Sequence, residues 1–282
     1  MGGLFTLSVV SHHHRGQVQT LLAQLAKAPA GLFDKIVVTL NVPEALPDWV
    51  DPRLQVVCND EPRGFGANHN HAFSLCESLY FCVVNPDIEL VACRGAGNPV
   101  NGHSAAEVAA VDVVAAVDVG QTVKTIFDTL AQTLSAPGAP EPGVVYPAQC
   151  RADGSRLDYA RALVTPAALL ARRLKWFAAT KNSSAAPDWA SGAFLVFKSP
   201  VFATLGGFDE RYFMYCEDVD ICLRLQLAGY SLAEAQTTVT HHAQHRTLKS
   251  GQHLAWHVRS LLRLWRSSAY HQYLMMIKNR TN

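Results

Sequence analysis

Four carboxylates crowd one aromatic-rich stretch of the chain: Asp209, Glu217, Asp218 and Asp220 in FDERYFMYCEDVDICLRLQLAGY. Acids favour a first helical turn because the macrodipole welcomes negative charge there. That accounts for one or two of them. Their neighbours Phe208, Tyr212, Phe213 and Tyr215 add a second meaning. A carboxylate in a partly desolvated pocket has a raised proton affinity, which suits a general base.

Three further groups of residues could do chemistry. Asn85-Pro86-Asp87-Ile88-Glu89 follows an apolar run. An acid there can hold Mg²⁺, which takes one or two protein carboxylates and fills its shell with phosphate oxygens and water. The same residues also make ordinary turns. In NDEPRGFGANHN, residues 59–70, Gly64 and Gly66 let a backbone approach a ligand closely, and the helix that follows offers its N-terminus to anionic oxygens. Neither the Gly-Lys-Ser/Thr of a P-loop nor a full GxGxxG is present, and a plain strand-to-helix turn is the competing reading. His241, His242 and His245 follow the strand-like TTVT. Imidazole at a strand end can ligate a metal or meet a diphosphate.

These residues need a frame. Apolar runs over Phe5–Val10, Lys35–Leu40, Leu54–Cys58 and Leu79–Val84 predict strands. Helices are expected around Val18–Leu25 and Ala67–Glu77. Strands alternating with helices predict an α/β domain with a mixed, mainly parallel sheet, and ligands bind beyond the carboxyl ends of such strands. His12, Asn41, Asn59 and Asp87 fall at those ends. The stretch from 91 to about 121, rich in Ala, Val and Gly, reads as an insertion. A helix over Thr122–Leu134 and a strand over Val144–Pro147 follow. The small-residue turn Trp189-Ala190-Ser191-Gly192-Ala193 then runs into another strand. A helix from Glu217 to Ala228 is expected, with Gly229 as its cap. The last residues are basic and helical, with Arg259, Arg263 and Arg266 among leucines. The expected division is 1–90, 91–121, 122–248 and a tail, 249–282.

Bulk composition narrows the class. Of 282 residues 49% are hydrophobic and 17% charged, enough for a sizeable core. A net charge of +1 gives no field for nucleic acid. Seven cysteines with no CxxC pair argue against a disulfide framework and a thiolate zinc site, so free thiols are expected. The first residues lack the pattern of a secretory signal, and no run of about 18 apolar residues suggests a membrane span. A cytoplasmic protein is expected, with the basic tail either packed on the domain or touching the anionic inner face of a membrane.

Taken together, LSVVSH, NDEPRGFGANHN, VVNPDIEL, the block from DWASGAF to LQLAGY, and VTHHAQH resemble, in order, the family 2 glycosyltransferases of the GT-A fold, in particular their bacterial rhamnosyltransferase-like members. The resemblance implies a single Rossmann-like GT-A domain and inverting transfer. The donor would be a nucleoside-diphosphate sugar (dTDP-rhamnose or a UDP-sugar) and the acceptor a glycan or lipid-linked molecule. It implies Asp218 as general base supported by Glu217, and Mg²⁺ or Mn²⁺ held by Asp87 and His241. Substrate contacts fall to His12, Asn41, Asn59, Gly64, Gly66, Asn70, Asn85, Trp189, Gly192 and Ala193. Arg224 pairs with an acid. Asn85 stands where the family carries its first metal-site acid, and Thr39-Leu40 where many members carry a base-contacting Asp. Two other readings share the layout. A nucleotide-sugar-binding protein could have lost catalysis through the insertion. A nucleotidyltransferase would need an activating lysine and a Gly-rich first strand, and LSVVSHHHRG offers neither.

Overall fold

The computed structural model describes residues 3–45, 51–93, 118–167, 169, 186–242 and 251–280. Alternation of apolar residues builds its centre, a sheet of eight strands. They are β1 (Phe5–Ser11), β2 (Phe33–Leu40), β3 (Leu54–Cys58), β4 (Tyr80–Val84), β5 (Ile88–Glu89), β6 (Pro142–Cys150), β9 (Phe194–Lys198) and β10 (Ser231–His241), in the order β3-β2-β1-β4-β9-β6-β10-β5. A separate ribbon pairs β7 (Ala160–Arg161) with β8 (Trp189–Ala190). β1 runs parallel to both β2 and β4, and β6 parallel to β10. β9 lies antiparallel between β4 and β6. The carboxyl ends of β1, β2, β3, β4, β6 and β10 therefore share one edge with the start of β9.

Seven helices are seen among the described residues: α1 (Arg15–Leu25), α2 (Phe65–Phe73), α3 (Val119–Ser135), α4 (Ser199–Thr204), α5 (Glu217–Leu227), α6 (Gly251–Arg266) and α7 (Ser268–Arg280). Successive strand residues face opposite sides, and the two sides build two cores. Cys82, Val84, Phe194 and Val196 pack with Leu21, Leu25, Phe127 and Leu130 of α1 and α3. Phe81, Val83, Leu195 and Phe197 pack with Phe202, Leu223 and Tyr273 of α4, α5 and α7. Strands buried on both faces read as continuous apolar runs, as parallel sheets require.

The expected strands all form, and the mixed, mainly parallel sheet is as the alternation implied. The α5 stop also holds. Gly229 has φ +90°, its N–H donates to Gln226 O at 3.1 Å, and Tyr230 N–H donates to Leu225 O at 3.2 Å, the paired bonds of a Schellman cap. α3 begins three residues earlier than expected because Asp118 Oδ1 accepts from Gly120 N–H at 2.9 Å and Gln121 N–H at 3.2 Å, an N-cap. Of the expected insertion, residues 94–117 lie outside the described residues, as does His245.

One cysteine expectation is corrected. Cys93 and Cys150 form a disulfide, with Cα atoms 5.9 Å apart. They are separated by 57 residues, so spacing gave no hint. β6 and β10 pair side by side, and the segment after β5 crosses β10 where Cys93 N–H donates to Thr238 Oγ1. That path sets the two thiols together. Cys58, Cys76, Cys82, Cys216 and Cys222 are free.

Candidate active site

β4 ends and β9 begins at one rung, Val84 opposite Phe194. Just past it, Asn85 N–H donates to Ala193 O at 2.8 Å. Next door, Gly192 N–H donates to Asp218 Oδ2 at 3.1 Å. These two bonds tie the turn carrying Asp87 and the start of α5 to adjoining strand ends. Gly192 is closely packed here: a Cβ there would lie 3.3 Å from the Phe65 ring and 3.5 Å from Asp218 Cβ.

The chain enters α5 under strain. Tyr215 and Cys216 hold φ of 71° and 67°, a left-handed conformation that costs an L-residue about 1–2 kcal/mol. Such strain persists where surrounding structure enforces it, and it clusters at functional sites. Here it turns the backbone sharply so that Glu217 and Asp218 open the helix.

The four acids sort by partner. Asp209 takes the guanidinium of Arg211 at 2.6 Å. Asp220 takes Arg224 Nε at 2.7 Å, and the Arg224 Nη atoms donate to Leu205 O and Gly207 O at 2.7 and 2.9 Å. Arg224 is thus a clasp on the turn before the site. Among the described residues, Asp218 accepts from two backbone N–H groups, those of Gly192 at 3.1 Å and Val219 at 2.9 Å. Glu217 is 5% exposed and its Oε2 has no hydrogen-bond partner. Burial pushes the proton affinity of both upward. For Glu217 the Asp218 charge adds to this, whereas for Asp218 the two N–H groups oppose it.

Asp87 sits across the edge. Its Oδ1 is 3.3 Å from His241 Nε2 and is buried without a hydrogen bond. Burial raises its pKa, but His241 and the more distant His14 pull it below the usual carboxylate range. His241 Nδ1 lies 2.9 Å from Gln149 Oε1. With Nδ1 donating to that oxygen, Nε2 faces Asp87, and a cation bound between them would take the place of the Nε2 proton. A ring nitrogen oriented by a second polar group is the usual posture of a metal-binding histidine. An imidazole and a carboxylate aimed at one point fit Mg²⁺ or Mn²⁺. Among the described residues no cluster of three or more His, Cys, Asp or Glu side chains exists, so phosphate oxygens and water would complete the shell. His242 points the other way, to Glu89 at 2.8 Å.

The 59–70 segment behaves differently. Asn59 Nδ2 donates to Asn41 Oδ1 and Asn68 Oδ1 at 2.9 and 2.7 Å. Asn41 in turn grips the Arg63 backbone through Arg63 N–H at 2.7 Å and Arg63 O at 2.9 Å, and His12 Nδ1 lies 3.4 Å from its Nδ2. Asn70 holds Phe208 by N–H and carbonyl at 2.9 and 2.8 Å, and Glu210 at 3.0 Å. A Cβ on Gly64 would lie 2.8 Å from Phe213 O, and one on Gly66 2.7 Å from Phe208 Cβ. The glycines admit the 208–213 loop, so the close approach expected of a ligand is made by protein. Trp189, expected among the substrate contacts, is held by protein groups. It is 7% exposed, donates Nε1–H to Ala162 O at 3.1 Å, and lies under Arg161. Ala193, 3% exposed, contributes its carbonyl.

Sequence reasoning missed Gln149 and Asn68. Both are polar groups only 1% exposed. The readable signal for Gln149 was an amide inside the apolar run of β6.

Comparison with known proteins adds identity to this geometry. No protein-family model matches the chain. Over 78 residues, 27% of this chain, it is 40% identical to rhamnosyltransferase WbbL of Escherichia coli K12, and over 74 residues, 26% of this chain, 46% identical to the N-acetylglucosaminyl-diphospho-decaprenol L-rhamnosyltransferase of Mycobacterium tuberculosis. Over that quarter of its length the chain is similar to rhamnosyltransferases, and its fold is that of the GT-A glycosyltransferases. The matched stretches span 30% and 24% of those two relatives. Over 93% of its length the chain superposes on 65% of the mannosyltransferase of Pyrobaculum calidifontis solved with GDP-Man and Mn²⁺, with a TM-score of 0.53 and 15% identity. Over 97% it matches 72% of residues 1–349 of S. aureus TarS with UDP-GlcNAc, with a TM-score of 0.53 and 12% identity. At these identities the likeness is one of fold. No helix among the described residues is long and apolar enough to cross a membrane.

Proposed function

We propose that the protein transfers a sugar, with inversion, from a nucleoside-diphosphate sugar to a hydroxyl of a glycan or lipid-linked acceptor in cell-surface polysaccharide synthesis. Rhamnose is the sugar we favour, on the strength of the two relatives named for it. The observation that carries the reading is the pair of bonds Asn85–Ala193 and Gly192–Asp218. They hold two differently tuned carboxylates at one edge of the sheet. The names of the structural neighbours, bound to GDP-Man with Mn²⁺ and to UDP-GlcNAc, support a nucleotide-sugar donor.

In this reading Asp218 takes the proton from the acceptor hydroxyl, and that oxygen attacks the anomeric carbon as the bond to the diphosphate breaks. The electron pair leaves with the nucleoside diphosphate. The Gly192 and Val219 N–H groups keep the Asp218 carboxylate in one orientation. Burial raises the proton affinity of Asp218, and its charge in turn raises that of Glu217, buried beside it. Asp87 and His241 would hold Mg²⁺ or Mn²⁺, which supplies positive charge to the departing diphosphate. The C-terminal helices bring a peripheral contact with an anionic membrane surface into the same reading.

The test is Asp218→Asn. Transfer from a nucleoside-diphosphate sugar should fall by about 10²–10⁴-fold, the usual share of a general base, with donor affinity by calorimetry unchanged. A matching loss of donor affinity would remove Asp218 from this role.

A further inference from the structure

Beside the proposed base lies a cleft of about 250 Å³ to which no role has been given. Arg211, Phe213, Trp256, Arg259 and Arg263 line it, together with Glu210. Two of the three arginines are not neutralised. Arg211 is held by Asp209, and Glu210 directs Oε1 to Asn70. Arg263 rests over the Tyr212 ring at 5.9 Å, and Arg259 is exposed and in no ion pair among the described residues. Guanidinium groups gathered around an open cleft suit a phosphate, which they can bind by forked, charge-assisted bonds.

The cleft is joined to the base by direct contacts. Ser260 Oγ donates to Met214 O at 2.8 Å, Trp256 stacks on Phe213 at 4.9 Å, and Tyr215 OH lies 2.8 Å from His253 Nδ1. Thus α6 is seated on residues 213–215, the segment whose strained end delivers Glu217 and Asp218. Along the same helix Leu254, Val258 and Leu262 are 50%, 49% and 41% exposed. Residues four apart stack on one helical face, so these three form an apolar stripe. Arg259 follows Val258 and Arg263 follows Leu262 around the helix. A free anion would use the arginines and leave this stripe in water. A phosphate ester on a hydrocarbon chain would use both.

The geometry points to an acceptor subsite. The Arg259–Arg263 cleft takes the phosphate of a lipid-linked acceptor, and the Leu254–Val258–Leu262 stripe takes the surface in which its hydrocarbon is embedded. This rests on the transfer reading above and names where its acceptor is held. It assigns the cleft a ligand different from the donor diphosphate expected at Asp87 and His241.

Flotation of the full chain with phosphatidylcholine vesicles, with and without a long-chain dialkyl phosphate, tests it. Inorganic pyrophosphate serves as competitor. The wild type should bind phosphate-bearing vesicles, bind plain ones weakly, and lose little binding to pyrophosphate at equal phosphate concentration. Arg259→Gln with Arg263→Gln should bind about 30-fold more weakly, the loss of two arginine contacts at an anionic surface. Leu254→Ser with Val258→Ser should also weaken binding. Since Arg263 covers Tyr212, Arg259→Gln alone is the check against unfolding and should retain the wild-type melting temperature while still losing affinity. Unchanged binding by the arginine variants overturns the subsite, as does full displacement by pyrophosphate, which would mark a site for free anions. Hydrolysis of the donor in the absence of acceptor is read in parallel. Its absence in the wild type would count against the transfer reading and not against the cleft.

Discussion

The Asp87–His241 corner and the Gly64–Asn70 segment draw on similar residue types at the same sheet edge, yet their polar atoms have opposite fates. At the corner, Asp87 Oδ1 is buried with no hydrogen bond and faces a ring nitrogen oriented from behind by Gln149. In the segment, Asn41, Asn59, Asn68 and Asn70 give their amides to one another and to the backbone of Arg63 and Phe208. A buried polar group without a partner costs free energy, and Asp87 Oδ1 carries that cost at the sheet edge. In the second region the asparagine amide nitrogens all have protein partners, and the buried orphan there is His69 Nε2. Asparagines and glycines at strand ends look alike in a sequence. The destination of each hydrogen bond separates them.

Gln149 sharpens this comparison most. Gln149→Leu should weaken divalent-metal affinity by about 10–100-fold, the usual cost of removing an outer partner of a ligating histidine. Melting temperature without metal should move little. Metal titration by calorimetry reads this, and an unchanged affinity would show that His241 is not oriented for a cation. Asn70→Ala strikes the other region. It leaves the Phe208 backbone groups unpaired, so the fold should lose about 1–3 kcal/mol in denaturant unfolding, with donor affinity intact. A selective loss of donor affinity would return Asn70 to the binding site.

The smallest effect expected comes from charge. Glu217 has a folded-state pKa raised by burial and by Asp218. Its neutral form is favoured by folding, so that stability is fully present below the unfolded pKa of about 4.3 and is lost as pH rises through the folded value. Glu217→Gln should therefore melt higher than the wild type at neutral pH, and the difference should close in acid. A difference independent of pH would mean that Glu217 is not a buried charge.

The sequence made the frame legible where apolar runs were long: β1, β2, β4 and α5 all fall where periodicity put them. Asp218, Glu217, Asp87 and His241 were singled out as acids and imidazoles at strand ends or in aromatic surroundings, and their separate roles came only from the family resemblance. What could not be read depends on tertiary packing. Gly66 needed Phe208, 142 positions away, to reveal its purpose. The Cys93–Cys150 disulfide needed the path of the chain across β10 and β6. Trp189 was expected among the substrate contacts, and only the β7–β8 ribbon shows its indole under Arg161.

The central claim is that two carboxylates at one edge divide the labour, Asp87 serving the cation and donor and Asp218 the acceptor. The most direct measurement is donor titration by calorimetry, with and without Mn²⁺, on the wild type, Asp87→Asn and Asp218→Asn. The account predicts that Mn²⁺ tightens donor binding in the wild type and in Asp218→Asn and has no effect in Asp87→Asn. An Asp87→Asn protein whose donor affinity still responds to Mn²⁺ as the wild type does would contradict it.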